Sequence, residues 1–366
     1  MLPREAVPAG PVVLRPLADD DTGAILRACA DPEIVRFIPT IPAPYTADDA
    51  RLFVTETAPG MWDAGGANFA IADPATGGWL GGISLKAPDV RGNVEIGYMV
   101  APWARGRGVA SAAARALTEW AFRQGTHRVE LVTDLENVAS QRVAMAAGFR
   151  REGLQRGAGP LRDGGRDDLV PFARLATDSG EPQRSFLPDL PGGSLSDGVV
   201  RLAPITPADA GAYQAMMEEP EVLIRSVPPQ APDPDDTARR LRCTGMWWLS
   251  GERAELSVRD AGTGEFAGHI QLMNIVPPLG QAMIGYSLAR RFRGRGFMTR
   301  AVDLLCEWAF ASTPLYRIVA GTAPDNVPSH RVLERAGFTQ EAVIKSLLPG
   351  LDGTRHDDLQ WVRLRG

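Results

Sequence analysis

The chain has 366 residues, enough for two domains that each bury a core of their own. Its composition, 44% hydrophobic and 23% charged, is typical of a soluble globular protein, and its net charge of −5 argues against broad nucleic-acid binding, which needs a basic surface. No run approaches the roughly eighteen apolar residues of a membrane span, and residues 3–5 open the chain without the apolar core of a signal peptide, so we expect a cytoplasmic protein with no membrane partner.

Cysteine and histidine positions give no sign of a structural metal or a disulfide framework. The three cysteines and four histidines show neither CxxC nor other ligand spacing; they are Cys29, Cys243, Cys306, His127, His269, His330 and His356. We therefore expect core or surface thiols and no bound metal.

Hydrophobic patterns place strands and helices along the first half. Apolar residues from Val109 to Ala121 recur at helical spacing and form one continuous face. The predicted strands are residues 12–17, 69–72, 79–85, 94–100, 129–133 and 169–175. One predicted helix ends near residue 30, and the other three cover residues 47–57, 109–122 and 137–147. This order predicts a mixed α/β sheet with helices on its faces.

The second half repeats this plan. A segment that begins at Tyr98 and ends in Glu-Trp-Ala-Phe recurs from Tyr286, 188 residues later. Self-similarity at this distance indicates two copies of one domain. We predict an N-terminal domain over residues 1–176, a polar linker over 177–197 and a C-terminal domain over 198–366. The second copy has predicted strands at 199–202, 319–322, 359–364 and near 256, 270 and 284, and predicted helices at 209–219, 237–249 and 327–336.

An Arg-Gly-Arg-Gly cluster lies between a strand and a helix in each copy. Such a turn presents unpaired backbone N–H groups and the positive end of the helix dipole, which favours a phosphate. Gly106 and Gly108 allow close approach of a ligand, and Arg105 and Arg107 add positive charge. For a single copy, a plain helix entry with exposed arginines is the alternative. Neither a P-loop nor a dinucleotide fingerprint fits the residues that follow.

Further motifs occur at matching places in the two halves. They are Asp-Pro-Glu at 31–33, Ile-Gly-Tyr at 96 and 284, Asn-x-x-Ser followed by Gly-Phe at 137–149 and 326–338, and Asp-Asp-Leu at 167 and 357. In the first turn, Arg105, Gly108 and Ala110 meet the pattern Arg/Gln-x-x-Gly-x-Gly/Ala. Together these features resemble the GNAT family of acyl-CoA-dependent N-acyltransferases, and within it the branch similar to the RimJ/RimL ribosomal-protein N-terminal acetyltransferases.

The resemblance implies an α/β fold with two tandem GNAT-like domains, each a mixed, partly split β-sheet flanked by helices. It places the pantetheine of acetyl-CoA in a split between the fourth and fifth strands and the pyrophosphate on the glycine turn. In the first copy it assigns acetyl-CoA binding to Met99, Val100, Arg105, Gly106, Arg107, Gly108, Val109, Ala110, Asn137 and Ser140. In the second copy it assigns this role to Arg293, Gly294, Arg295, Gly296, Asn326 and Ser329.

The implied reaction, direct attack of an amine on the thioester, needs a base for the amine and a proton for the departing thiolate. Glu95 is our candidate base because strand alternation separates it from its apolar neighbours; a solvated edge carboxylate is the alternative. Ser140 is our candidate acid, since Ala144 stands where many relatives have a tyrosine. Asn137 and Ser140 are also good helix-capping residues, which is compatible with ligand binding.

The two copies differ at positions that bear on activity. Met283 stands where the first copy has Glu95, and Met298 stands where it has Ala110. The first change removes the candidate base and the second is expected to put a long side chain beside the pyrophosphate. We therefore predict that the N-terminal domain is catalytic and that the C-terminal domain is impaired or specialised. Arg300, which interrupts the second helix face, either keeps its charge in water or directs it to an anion on the turn.

The sequence thus predicts transfer of an acetyl group from acetyl-CoA to a primary amine of a small molecule or of a protein N-terminus, by a monomer or homodimer. A non-catalytic acyl-CoA-binding or regulatory protein is the alternative. A nucleic-acid-associated factor, suggested by the Arg/Gly clusters, is disfavoured by the charge of −5. Acidic residues between the first two helices of the second copy either hold the amine or are solvated; they are Asp233, Asp235 and Asp236.

Overall fold

The computed structural model describes residues 2–350 and 353–366. The chain divides after Arg184 into two compact units. Part of the segment predicted as a linker belongs to the second unit, where Leu187 and Leu190 are buried in the core. No helix in the described part of the chain is long and apolar enough to cross a membrane.

The first unit is a mixed sheet with helices. Its strands are β1 (Val7–Ala9), β2 (Val12–Arg15), β3 (Ala67–Ala72), β4 (Trp79–Leu85), β5 (Val94–Val100), β6 (Arg128–Asp134), β7 (Arg150–Arg151), β8 (Gln155–Pro160) and β9 (Arg166–Leu175). Its helices are α1 (Thr22–Cys29), α2 (Pro32–Phe37), α3 (Ala47–Leu52), α4 (Ala58–Asp63), α5 (Val109–Arg123) and α6 (Val138–Ala146). The strand order is β1-β2-β3-β4-β5-β6-β9-β7, with β8 paired to β9.

Helix α5 packs its apolar face on the sheet as predicted. Val109, Leu117 and Trp120 on that face are buried. The Trp120 ring meets Phe69 of β3 edge to face at 5.6 Å, and Trp62 of α4 meets the same Phe69 ring at 5.0 Å. Edge-to-face aromatic contacts of this kind add to the burial energy and fix both helices against β3.

The second unit repeats the order of the first. Its strands are β10 (Leu195–Ser196), β11 (Val200–Pro204), β12 (Ala254–Asp260), β13 (Phe266–Val276), β14 (Gln281–Leu288), β15 (Arg317–Thr322), β16 (Thr339–Pro349) and β17 (Arg355–Leu364). Its helices are α7 (Ala210–Met217), α8 (Pro220–Leu223), α9 (Pro234–Ser250), α10 (Phe297–Ser312) and α11 (Val327–Arg335). The strand order is β10-β11-β12-β13-β14-β15-β17-β16. The predicted α/β fold, a mixed sheet flanked by helices in each half, is confirmed.

Some elements differ from their predicted extents for physical reasons. The helix predicted over 47–57 continues through a widened turn, Phe53–Thr57, into α4, because Pro59 has no N–H to donate to the preceding turn. Strands β8 and β16 were not predicted. Both are largely exposed and pair with one neighbour each, so their sequences lack the alternation that burial of one face imposes.

One junction in each sheet is parallel and short. Strands β5 and β6 pair only over residues 94–96 and 129–131, and β14 and β15 only over 281–283 and 317–319. Beyond these residues β5 and β6 diverge. The backbone N–H and C=O groups of residues 97–100 on the β6 side are therefore not part of the hydrogen-bonded ladder. This is the predicted split; because the short β1 precedes the others, it lies between the fifth and sixth strands.

Candidate active site

The glycine turns form open helix N-termini in both units. Gly106 and Gly108 have φ of 72° and 71°, and Gly294 and Gly296 have φ of 73° and 76°, a left-handed conformation that glycine adopts without strain. No side chain caps α5 or α10. The first backbone N–H groups of these helices therefore face an exposed turn, the arrangement that binds anions.

The first arginine of each turn is paired with an acidic residue from a distant part of the chain. This residue stands directly before a short helix, α2 in the first unit and α8 in the second. Arg105 Nη2 lies 2.6 Å from Asp31 Oδ1, and Arg293 Nη2 lies 3.0 Å from Glu219 Oε2. Burial raises the pKa of Asp31, but Arg105 and the N–H of Ile34 outweigh it and lower that pKa below its usual value. The Asp-Pro-Glu motif thus supplies the partner of an arginine that we expected to bind phosphate.

The remaining residues of the two turns differ in exposure, and one of them corrects an expectation. Val109 is buried, and Arg107 is exposed. In the second unit, Arg295 Nη2 is 3.4 Å from Asp260 Oδ2. Met298 was expected beside the ligand face of the turn, but its side chain is buried in the hydrophobic core. The obstruction that we expected in the second turn is therefore absent, because the flexible thioether fills the core.

Arg300 keeps its charge at the surface, as one of the two alternatives had it, with a side chain that is 48% exposed and with an acidic partner in addition. Its Nη1 lies 2.7 Å from Asp197 Oδ2. Asp197 also accepts hydrogen bonds from the N–H groups of Val199 and Val200 at the start of β11. Arg300 therefore joins α10 to the edge of the sheet.

A tyrosine and a serine hydroxyl meet across the split in each unit. Tyr98 comes from β5 and Ser140 from α6, and the phenol oxygen lies 2.8 Å from Ser140 Oγ. In the second unit the same pair, Tyr286 and Ser329, is 2.7 Å apart. Burial raises the pKa of Tyr98 above its ordinary value and that of Tyr286 to about 12, so both phenols stay protonated at neutral pH, and either hydroxyl of each pair can donate.

Sequence reasoning singled out Ser140 but missed its partner. The tyrosine of the Ile-Gly-Tyr triplet recurs in both copies, and this recurrence is the sequence signal that could have identified the partner. Asn137 caps α6: its Oδ1 accepts the N–H of Ser140 at 3.0 Å, and Asn326 accepts that of Ser329 at 3.4 Å. The capping role considered for these asparagines is thus present in both units.

Glu95 lies on β5 just before the split. Its Oε1 is 2.7 Å from Lys86 Nζ, and its side chain is 32% exposed. It alternates with the buried Val94 and Ile96, as the strand pattern predicted. Met99, of the two residues expected to pair with pantetheine, lies opposite Gly82 on β4, and its other edge faces the split.

Two further predicted positions are Val100, the last residue of β5, and Met283 on β14. Val100 pairs with Gly81, where any Cβ would come within 2.4 Å of the Met99 carbonyl oxygen, so this close strand contact requires glycine. Met283 takes the register position of Glu95 in the second unit, and its sulfur accepts from Asn274 Nδ2 at 3.7 Å.

The acidic residues expected near the acceptor mostly bond to groups close to them in the chain. Asp233 caps α9 by accepting the N–H of Asp235, and Asp236 pairs with Arg239. The acidic loop therefore stabilises a helix start. The solvated alternative is favoured over amine binding there.

Comparison with known proteins identifies the family. The model of the acetyltransferase (GNAT) domain matches residues 12–150 and again residues 200–339. The Probable N-acetyltransferase YjcK of Bacillus subtilis (strain 168) is 38% identical over 95 residues, 26% of this chain and 52% of that protein. The Putative ribosomal N-acetyltransferase YdaF of the same organism is 35% identical over 107 residues, 28% of this chain and 58% of that protein.

The chain spans about half the length of these curated relatives. Among solved structures, the ribosomal-protein-S5-alanine acetyltransferase from Vibrio fischeri aligns with a TM-score of 0.42 at 23% identity, covering 47% of this chain and 96% of that one. The two family matches fall one in each compact unit and together cover most of the sequence. The chain belongs to the GNAT acetyltransferase family and carries two of its domains in tandem.

Proposed function

We propose that the chain is an acetyl-CoA-dependent N-acetyltransferase whose acceptor is a primary amine of a small molecule or of a protein N-terminus, and that the first unit performs the transfer. One observation carries the proposal. Both units combine an uncapped helix N-terminus, a strand edge that has left its ladder and a hydroxyl pair across the gap, but only the first unit has a carboxylate, Glu95, on the strand at that gap, where the second has Met283.

Residues of the first unit fit an acyl-CoA donor, which supplies the activated acetyl thioester. The uncapped N-terminus of α5, opened by Gly106 and Gly108, suits the pyrophosphate, with Arg105 and Arg107 adding charge. The free edge at Met99 offers N–H and C=O groups to the amides of pantetheine. Binding of a diphosphate at the turn would compete with Asp31 for Arg105.

Three sets of groups in the first unit would assist the reaction at the amine, the thiolate and the carbonyl oxygen. Glu95 takes the proton of the amine, directly or through water. The Ser140 hydroxyl, oriented by the neutral Tyr98 phenol, donates a hydrogen bond to the departing thiolate, which is protonated from solvent while Glu95 returns the proton of the amine to solvent. Backbone N–H groups at the split donate to the carbonyl oxygen as its charge grows.

The name of the YdaF relative, a putative ribosomal N-acetyltransferase, supports a ribosomal amine as one acceptor to test, and a protein N-terminus is one such amine. The test is thiol release from acetyl-CoA with peptides of varied N-termini, amino-sugars and polyamines. The buried Cys29, Cys243 and Cys306 add little background, since burial raises the pKa of Cys29 to about 11 and of Cys306 to about 12. Binding of CoA with no thiol release across the panel would favour the non-catalytic alternative.

Replacing Tyr98 with Phe removes the phenol that holds the Ser140 hydroxyl. We expect kcat to fall about fivefold with little change in KM for acetyl-CoA, because a lost neutral hydrogen bond is worth about 1 kcal/mol. Tyr286→Phe makes the same change in the second unit and is expected to leave turnover by the first unit intact. Equal losses in the two variants would contradict the role given to Tyr98.

A further inference from the structure

Lysine is rare in this chain, and one of its lysines contacts the candidate base. Of the 39 lysines and arginines, two are lysines, Lys86 and Lys345. Lys86 Nζ lies 2.7 Å from Glu95 Oε1. Lys345 Nζ lies 2.8 Å from Asp357 Oδ2. A primary amine, the group that we propose as the acceptor, is therefore already present in the first unit at the carboxylate that we propose as the base.

Lys86 and Glu95 stand opposite each other on neighbouring strands. Lys86 directly follows β4, and its N–H donates to the Glu95 carbonyl oxygen at 2.8 Å, one residue beyond the pair of Leu85 with Ile96. Residues that are opposite each other in an antiparallel ladder point to the same face of the sheet. The ammonium group therefore lies on the face that carries the candidate base.

The surface between this pair and the split is open. The free edge of β5 begins at Gly97, two residues from Glu95 and about 7 Å along the strand, a distance that a flexible lysine side chain can sweep. Gly97 lies opposite Ser84, and both are partly exposed. A Cβ added at Gly97 would meet the Ser84 hydroxyl oxygen at 3.6 Å, an ordinary contact distance. Short side chains thus leave a path from the ammonium to the edge that we assign to acetyl-CoA.

The second unit has neither member of this pair. Met273 and Met283 are opposite each other on β13 and β14. Met283 directly precedes the second Ile-Gly-Tyr triplet, as Glu95 precedes the first, so these methionines take the places of Lys86 and Glu95. The amine accompanies the carboxylate, since one unit has both and the other has neither.

Lys345 is a comparison lysine outside the split. It lies on β16, at the end of the strand order β14-β15-β17-β16, so three strand spacings, about 14 Å, separate it from β14. Its side chain is 80% exposed, against 61% for Lys86. A reagent that reacts with lysines from solution would therefore reach Lys345 at least as easily as Lys86.

We propose that the first unit acetylates its own Lys86, whose amine takes the place of the acceptor amine at Glu95. The inference rests on the proposed function, which supplies the donor and the base. The ion pair is no obstacle, because the Lys86 side chain is mostly exposed and exposed ion pairs contribute little.

The transfer forms one bond and breaks another. Glu95 takes a proton from the Lys86 ammonium and passes it to solvent, and the neutral amine attacks the carbonyl carbon of the acetyl thioester. The C–N bond forms, the C–S bond breaks, a second proton leaves the nitrogen to solvent, and solvent protonates the thiolate. The products are acetylated Lys86, free CoA and one released proton.

The test is incubation of the full chain with acetyl-CoA and no added amine, followed by peptide mass spectrometry. We expect one equivalent of released thiol per chain, a rate that saturates with acetyl-CoA, and an acetyl group on Lys86. An acetylated lysine resists trypsin, so the product is the peptide 52–91 in place of 52–86. Lys86 should be modified at least about tenfold faster than Lys345, because the donor is held beside it.

Glu95→Gln separates the catalysed reaction from direct chemical acetylation. Loss of the carboxylate frees the Lys86 ammonium from its ion pair, so chemical acetylation would not slow, whereas the catalysed reaction should slow at least about 10²-fold. Glu130→Gln, which removes a carboxylate from the neighbouring strand β6, should leave the rate within about twofold of wild type.

A mixture of Glu95→Gln chains and Lys86→Arg chains tests whether transfer occurs within one chain. Each variant lacks one of the two groups, so Lys86 on the Glu95→Gln chain should stay unmodified beyond its rate when that variant is alone. In wild type, the fraction modified at a given time should not change on dilution of the protein.

Equal rates at Lys86 and Lys345, a rate that survives Glu95→Gln, transfer in the mixture, or no acetyl group on Lys86 would each overturn the proposal. An unmodified Lys86 in a chain that acetylates an added amine would reject self-acetylation and keep the proposed function. Glu95-dependent acetylation of Lys86 in a chain that acetylates no added amine would support self-acetylation and reject the external acceptor.

Discussion

Glu95→Gln is expected to lower kcat for amine acetylation by about 10²- to 10⁴-fold, because a positioned general base contributes that much to proton transfer. KM for acetyl-CoA should change little, since Glu95 precedes the strand edge and turn that would hold the donor. The measurement is initial-rate thiol release with the best acceptor found in the panel. In a series of acceptors with increasing amine pKa, the fold loss of kcat in Glu95→Gln should be largest for the amines with the highest pKa, because these are the most protonated.

Glu130→Gln is the matched control. Glu130 is the register neighbour of Glu95 on β6, shares its face, and is bound to Arg128 at 2.8 Å. Its replacement removes the same charge and should leave kcat within about twofold of wild type, because Glu130 lies outside the proposed proton transfers and its ion pair with Arg128 is only partly buried. Turnover that survives Glu95→Gln but is lost in Arg293→Glu would assign catalysis to the second unit instead.

Glu255→Gln should destabilise the second unit by about 3 kcal/mol at pH 7. Glu255 is fully buried on β12; it is hydrogen bonded to His269, and its Oε1 accepts from Arg240 at 2.8 Å and Arg253 at 3.1 Å. Burial acts to raise its pKa, but the charges of His269 and the two arginines outweigh burial and lower it from 4.5 to about 2. The ionised carboxylate is therefore part of what stabilises this sheet.

The pH dependence follows from the direction of that shift. A carboxyl with a lowered folded pKa contributes stability above its unfolded pKa of 4.5, and the contribution is lost as the pH falls towards 2. The difference between wild type and Glu255→Gln should thus be large at pH 7 and small near pH 2. Hydrogen exchange of β12 and β13 amides measures it in the second unit specifically.

Glu265→Gln provides the control for that experiment. Glu265 forms an exposed ion pair with Arg291 at 2.7 Å, and its side chain is 45% exposed. Its loss should change stability by less than about 1 kcal/mol. A difference between Glu255→Gln and wild type that stayed constant from pH 7 to pH 2 would contradict the account given for Glu255.

The two units differ on one face of the sheet at positions that bear on the proposed function. The first unit has Glu95 and an apolar Val132 there, whereas the second has Met283, Gly321 and the buried Asp358. Both units keep the open helix N-terminus and the hydroxyl pair. The groups that we propose to hold the donor therefore recur in both units, and the carboxylate that we propose as the base occurs at this position in the first unit alone.

Sequence alone determined the repeat, the mixed sheet and the family. These rest on short-range information: the glycine turns occur twice, and the apolar face from Val109 to Ala121 has helical period. Alternation along β5 also separated Glu95 from the buried Val94 and Ile96. Such features are set by neighbours in the chain, so a pattern of residues suffices to predict them.

Only the tertiary structure decided which side chains meet. Tyr98 and Ser140 are 42 residues apart in sequence, and Asp31 lies 74 residues before Arg105. The burial of Met298 and that of Asp358 depend on core packing and on strand register. These contacts are made between distant segments, and the energies that select them, burial and pairing across strands, are not encoded in any local pattern.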